Sequence, residues 1–219
     1  MNTVDFAQLL LVLESLIFLL AVFLHLSKKN KTLIVIYSLQ SLALIALLVG
    51  IGIVEDAQGL LLAAGLTFVT KVVLAPIIFT RAIKHLDDRI LTGSYLSTPL
   101  TLIVVLILLL LAYSDAFAPL AALSAHGSDI VHLAFAGIIV SLFLTINRKG
   151  IVHQIIGVLS MENGIVALAS IIGLEHTFAI ELGIIFDVLM WTVGAAVFIA
   201  LIHRHFGTLD TSVIKDLRD

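Results

Sequence analysis

The chain of 219 residues contains no cysteine. It can form no disulfide and offers no thiolate to an iron–sulfur cluster, so any redox chemistry has to belong to another subunit. Charge is scarce as well: only 12% of the residues are Asp, Glu, Lys or Arg, about half the share of an ordinary soluble domain. The formal net charge of -3 gives no basic surface for a polyanion, and nucleic acid is set aside as a partner. No linker, low-complexity tract or separate soluble domain can be marked. What fills the chain is apolar: hydrophobic residues make up 61% and the mean hydropathy is +1.20. This composition describes an integral membrane protein whose main solvent is the lipid bilayer.

Seven apolar segments, at 6–27, 32–54, 59–82, 97–113, 129–147, 151–174 and 177–203, come near the roughly 20 residues that cross about 30 Å of hydrocarbon at about 1.5 Å per residue. MNTVD ahead of the first is acidic, and Glu14 interrupts it, so the segment reads as a retained helix rather than a cleaved signal. Basic residues gather at alternate connections: Lys28, Lys29 and Lys31; Arg81, Lys84 and Arg89; Arg148 and Lys149; then Arg204, Lys215 and Arg218. The connections between them, VEDAQ (54–58), SDAFAPLAALSAHGSD (114–129) and LEHT (174–177), hold no Lys or Arg. The expected fold is an all-α membrane protein of seven transmembrane helices, with the N-terminus outside and the C-terminus cytoplasmic.

Segments one to three and five to seven read as two related triplets. YSLQSLALIALL (37–48) parallels GVLSMENGIVALA (157–169), with Gln40 matching Glu162, and four spans between equivalent positions make the copies parallel rather than inverted. This divides the chain into a three-helix unit at 1–96, a spacer helix with an outer loop at 97–128, and a second three-helix unit with a cytoplasmic tail at 129–219. Segment four has no ionisable group before Tyr113 and reads as a lipid-facing spacer.

Four ionisable residues lie deep in these segments. Counted from the basic turns at about 1.5 Å per residue, Lys71, Glu162 and Glu14 lie roughly 15, 20 and 21 Å into the membrane. Asp187 is roughly 25 Å from Arg204 and about 16 Å from His176. Charges at such depth cost at least a few kcal/mol, so they are expected to face the bundle and find partners, or to take up and lose protons. One lysine among three acids makes at most one clean pair, which leaves two carboxyls that static pairing does not explain. A structural pair is the bland reading, and a proton path through Glu162, Asp187, Lys71 and Glu14 the sharper one, with Gln40, Asn163, His153 and His132 in support. His132 and His153 lie near segment ends, where a structural or interfacial role is expected. Pro76 cannot donate to the carbonyl of Val72, which would free an acceptor beside Lys71. Gly183, Asp187, Met190 and Gly194 share a face that would let a neighbouring helix approach the aspartate. His203 and His205 stand about 200° apart on a helix and make no chelating pair, so no metal site is expected.

These residues carry a resemblance. MEN at 161–163, the segment IIFDVLMWTVGAAVFIALIHRHFGTLDTSVIKDLRD (184–219), and its tail features SV (212–213) and DLR (216–218) resemble the K-type subunit of respiratory complex I. With extra helices in front, the chain is similar to the component E subunit of hydrogenase-4. The resemblance implies a membrane subunit of a complex I-related hydrogenase of the formate hydrogenlyase type, in the cytoplasmic (inner) membrane of a prokaryote. It implies no catalysis by this chain alone, no cofactor in it, and a [NiFe] centre and iron–sulfur clusters in partner subunits. Other membrane subunits, antiporter-like ones included, would be its neighbours. Glu162 matches the glutamate of the family's second helix; Asp187 lies one turn before the position of the third-helix carboxylate, near Met190. Lys71 and Glu14 have no counterpart in the three-helix unit, though Lys71 is similar to the intramembrane lysines of the antiporter-like subunits.

The main rival is a stand-alone secondary transporter or cation/proton antiporter component, against which no segment shows the paired Gly/Pro interruption of a broken substrate-binding helix. A seven-helix photoreceptor would need a lysine in the last segment, which has none in its span. A structural filler subunit leaves the four deep charges without a purpose.

Overall fold

In hydrocarbon each backbone N–H and C=O must be satisfied within the protein, so long apolar runs fold as helices. The computed structural model describes residues 3–83, 93–124 and 127–173, with position 194 beyond them. Helix α1 spans Thr3–Leu26 and α2 spans Asn30–Val54. Helix α3 begins over Gln58–Thr67, widens to a π-helix over Phe68–Leu74 and returns to α geometry over Ala75–Ala82. Then come α4 (Thr98–Ala112), a 3₁₀ turn (Asp115–Phe117), one helical turn (Ala118–Ala121), α5 (Ser128–Asn147) and α6 (Ile151–Ile171).

Five of these helices, α1, α2, α3, α5 and α6, are long and apolar enough to cross a membrane. The fourth expected span is an apolar helix of only 15 residues, about 22 Å at the helical rise, and the seventh (177–203) lies outside the described residues. Among the described residues there is no strand, only an isolated bridge between Ser94 and Arg148. Outward faces are apolar: Leu100, Ile103, Leu106, Ile107 and Leu110 of α4 are exposed, and so are Val12, Leu16 and Leu19 of α1. The chain is a multi-pass membrane protein, its exterior made for lipid or for other membrane helices.

Helix α1 packs on α2 and α5, α2 also on α3 and α6, and α5 on α6. The hairpin α1–α2 thus lies beside the hairpin α5–α6, with α1 next to α5 and α2 next to α6. Two glycines bring α5 and α6 together. A Cβ at Gly157 would stand 2.5 Å from Thr145 Oγ1 and 3.0 Å from its backbone nitrogen, and one at Gly164 would stand 2.9 Å from Ile138 Cγ1. Small residues let backbones approach where the hydrophobic effect gives helices no mutual attraction.

At one end the turns are sewn together. The Arg148 guanidinium donates to the carbonyl of His25, His25 Nε2 lies 3.0 Å from Val140 O, and His153 Nε2 lies 3.3 Å from Ser27 O. Asn147 accepts from Tyr95 N–H at its carbonyl (2.9 Å) and from Leu96 N–H at Oδ1 (3.0 Å). At the other end Ser124 donates to Ile171 O at 3.2 Å, and Tyr113 donates to Asp129 O at 3.2 Å. The basic connections around Lys29 and Arg148 therefore share one end, and the connection after α4 lies at the other. Burial lowers the pKa of Arg148 from its ordinary value, without consequence near neutral pH for a guanidinium.

Candidate functional site

Two large apolar clusters, with a smaller third around Ala21, Val105 and Val140, fill the bundle. One contains Leu10, Leu44, Leu47, Ile51, Leu60, Val131 and Ile171; the other, towards the basic turns, contains Leu24, Leu33, Tyr37, Phe79, Leu144 and Ile156. On α2, α3 and α6 the residues between these clusters are polar and buried: Gln40 and Ser41, Thr67, Thr70 and Lys71, Ser160 and Asn163. A polar layer at mid-height is costly in lipid unless its groups satisfy one another.

Lys71 is its centre. Its ammonium donates to Asn163 Oδ1 at 2.8 Å and pairs with Glu162 Oε1 at 3.1 Å. The lysine comes from α3 and both partners from α6. The lysine side chain is 3% exposed and the glutamate 22%, so only Glu162 reaches the outside of the bundle. Asn163 Nδ2 in turn lies 3.3 Å from Gln40 Oε1 and 3.2 Å from Ser41 Oγ, while Gln40 Nε2 reaches Ile17 O on α1 at 3.3 Å. A neighbouring pair, Ser141 Oγ and Ser160 Oγ at 2.8 Å, joins α5 to α6.

The π-helix presents Lys71 to this layer. In its ladder Ala75 N–H donates to Thr70 O, five residues back. The next bond would run from residue 76 to the carbonyl of Lys71, and Pro76 has no N–H to make it. In the α register that resumes at Ala75 the same missing N–H is owed to the carbonyl of Val72, the acceptor expected from the sequence. Thr70 folds back onto its own helix, its hydroxyl 2.9 Å from Leu66 O. Wide turns of this kind occur mostly at functional positions.

The other expected residues are placed separately. Glu14 is fully buried on α1 between Leu10 and Ile17, and neither of its oxygens has a hydrogen-bond partner among the described residues. It stands one turn from Ile17, where the Gln40 contact ends. His153 ties α6 to the turn after α1. His132 lies tilted against Tyr113 with centroids 5.0 Å apart, and both its nitrogens are buried without a hydrogen-bond partner among the described residues. Asp187 and its glycine-lined face fall outside the described residues, position 194 apart. Among the described residues no three His, Asp or Glu side chains gather as metal ligands.

Sequence reasoning missed Ser41, Ser160 and Tyr37, whose hydroxyl is buried close to Ser41. It also missed His25 at the basic end. A signal was there for the first three: Gln40 and Ser41 each lie one turn from Tyr37, and Ser160 one turn from Asn163, so both apolar helices carry a polar stripe on one face.

A multi-pass helical membrane protein with an ion pair buried at mid-bundle is the class defined by this architecture. The chain is a homologue of hydrogenase-4 component E: it is 26% identical to the proteins of that name from Escherichia coli (strain K12) and Shigella flexneri over 184 residues, covering 83% of this chain and 84% of theirs. It is also 33% identical over 91 residues to an uncharacterized protein of Mycobacterium tuberculosis, 42% of this chain and 41% of that one. No family model and no solved structure matches.

Proposed function

We propose that the chain is a membrane subunit of a hydrogenase complex and that Lys71 and Glu162 carry protons within it, coupled to electron transfer in a peripheral arm. The observation that carries this reading is the ion pair of 3.1 Å set between two apolar clusters, joining α3 to α6. A buried pair brings little net stability over a well-packed apolar substitute, and in a membrane such residues mark ion or proton pathways. Glu162, the partner at the bundle surface, exchanges protons with groups outside, and Lys71 holds or releases a proton inside. Glu14 and Asp187 extend the path on α1 and in the seventh span.

In this reading the chain crosses the cytoplasmic membrane of a prokaryote seven times with the basic turns inside, and 129–219 forms the unit like the complex I K-type subunit. The [NiFe] centre and iron–sulfur clusters belong to partner subunits, with antiporter-like subunits among the membrane neighbours. Isolation in mild detergent tests it: nickel–iron and iron–sulfur proteins are expected to co-purify, and the lone chain in liposomes to exchange no ions. A monodisperse homo-oligomer with robust ion exchange would establish the stand-alone transporter instead.

A further inference from the structure

Each hydrogen bond leading from Lys71 towards α2 and α1 has a direction fixed by chemistry. An ammonium has three donors and no acceptor, so the Asn163 atom 2.8 Å from Lys71 Nζ is the oxygen Oδ1. That orientation turns the amide nitrogen of Asn163 towards α2, where its two hydrogens reach Gln40 Oε1 at 3.3 Å and Ser41 Oγ at 3.2 Å. Gln40, accepting with its oxygen, donates with Nε2 to the carbonyl of Ile17 on α1 at 3.3 Å. Ser41, accepting from Asn163, donates its hydroxyl hydrogen to the carbonyl of Tyr37 at 3.1 Å. Both branches end on backbone oxygens, which only accept.

The Gln40 branch, with a donor at its head and an obligate acceptor at its foot, cannot turn round, and it holds Asn163 even though the Ser41 hydroxyl can rotate. Removing a proton from Lys71 does not release it, because a neutral amine keeps two N–H groups and still donates one to Asn163. Relaying a proton along hydrogen bonds requires each link to reverse afterwards, and here Gln40 reversed would set its oxygen against Ile17 O. We propose that Asn163 and Gln40 are positioning residues, a one-way hydrogen-bonded clamp that fixes Lys71 and confines its proton exchange to the contact with Glu162. The inference rests on the proton-carrying reading of Lys71 and Glu162 and adds what holds and insulates them. One consequence concerns Glu14: the clamp ends at Ile17, three residues away, yet passes no proton to it, so Glu14 is served by another route.

The test uses the intact complex in inverted membrane vesicles, with proton uptake read by a pH-sensitive dye and redox turnover followed in parallel. Gln40→Met removes the branch to α1 and keeps the side-chain length. Protons taken up per turnover are expected to fall about tenfold, the low end of the loss when a group that orients a functional residue is removed, with subunit abundance unchanged. Because Gln40 acts through Lys71, Gln40→Met added to Lys71→Met should lower coupling no further than Lys71→Met alone. Wild-type coupling in Gln40→Met, or a further drop in the double variant, would overturn the clamp. Should Gln40→Met fail to assemble, Gln40→Ala removes the same branch without a longer side chain in its place, and normal coupling there overturns it equally. Glu162→Gln separates the two ideas: if it couples normally the proton reading itself has failed, whereas a defective Glu162→Gln beside a normal Gln40→Met condemns the clamp alone.

Discussion

Glu162→Leu and Lys71→Met break the same ion pair, but they are expected to cost different amounts of stability. At 3.1 Å and an effective dielectric of about 20, two unit charges attract by about 5 kcal/mol. Removing the glutamate strands an ammonium that is 3% exposed, with only the Asn163 oxygen at 2.8 Å to answer it among the described residues. A buried charge left in that way costs about 3–5 kcal/mol. Removing the lysine leaves a carboxyl that is 22% exposed and can take up a proton to face lipid or detergent uncharged, so the cost should be nearer about 1–2 kcal/mol. The double variant, apolar at both positions, should return to within about 1 kcal/mol of the parent. Unfolding of the purified chain in mixed detergent micelles, read by circular dichroism, measures all four corners of the cycle. A Lys71→Met penalty as large as that of Glu162→Leu, or a double variant equal to the sum of the singles, would refute the reasoning.

Packing predictions are sharper at α5–α6 than elsewhere. Gly157→Ala sets a methyl 3.0 Å from the Thr145 backbone nitrogen and should cost about 1–3 kcal/mol, whereas Gly137→Ala, with nothing within 4 Å, should stabilise the helix by up to about 1 kcal/mol; thermal unfolding in detergent separates them. Asn147→Leu strands the Leu96 N–H and leaves the Thr101 hydroxyl, 3.1 Å from Asn147 Nδ2, without that donor, so about 1–3 kcal/mol should be lost in the same assay. For topology, single cysteines at Lys29 and Asp56 are probed with an impermeant thiol reagent on intact cells: labelling is expected at 56 and absent at 29, and the reverse would invert the orientation.

Much of this arrangement was legible in the chain because lipid leaves the backbone few choices. Apolar length alone located α1, α2, α3, α5 and α6, since helices must satisfy their own backbone. Counting residues from the basic turns placed Lys71 and Glu162 at similar depth, and they meet. Depth could not say which acid the lysine takes, because helix order around the bundle is set by packing such as the Gly157–Thr145 approach, for which hydropathy carries no signal. Glu14 shows this limit: as deep as Glu162 by count, it lies one turn along α1 from the Gln40 contact at Ile17 and makes no pair with Lys71. The π-helix was equally out of reach, because Pro76 announces a lost hydrogen bond without saying which carbonyl loses it. Asn163 was noticed as the neighbour of Glu162, while its place at the head of two hydrogen-bonded branches needed the position of α2.

The central claim is that the pair of Lys71 and Glu162 moves protons, and Glu162→Gln tests it most directly. Glutamine keeps the size of the side chain and an oxygen for Lys71 to donate to, and it never ionises. With subunit abundance checked on a blue-native gel, proton uptake and redox turnover are measured together in inverted vesicles of Glu162→Gln and Glu162→Asp. The account predicts that the glutamine variant assembles and loses proton uptake by about a hundredfold, the low end of what removing a positioned proton-transfer group costs, while the aspartate variant keeps most of it. Wild-type proton uptake per turnover in Glu162→Gln at wild-type abundance would contradict it.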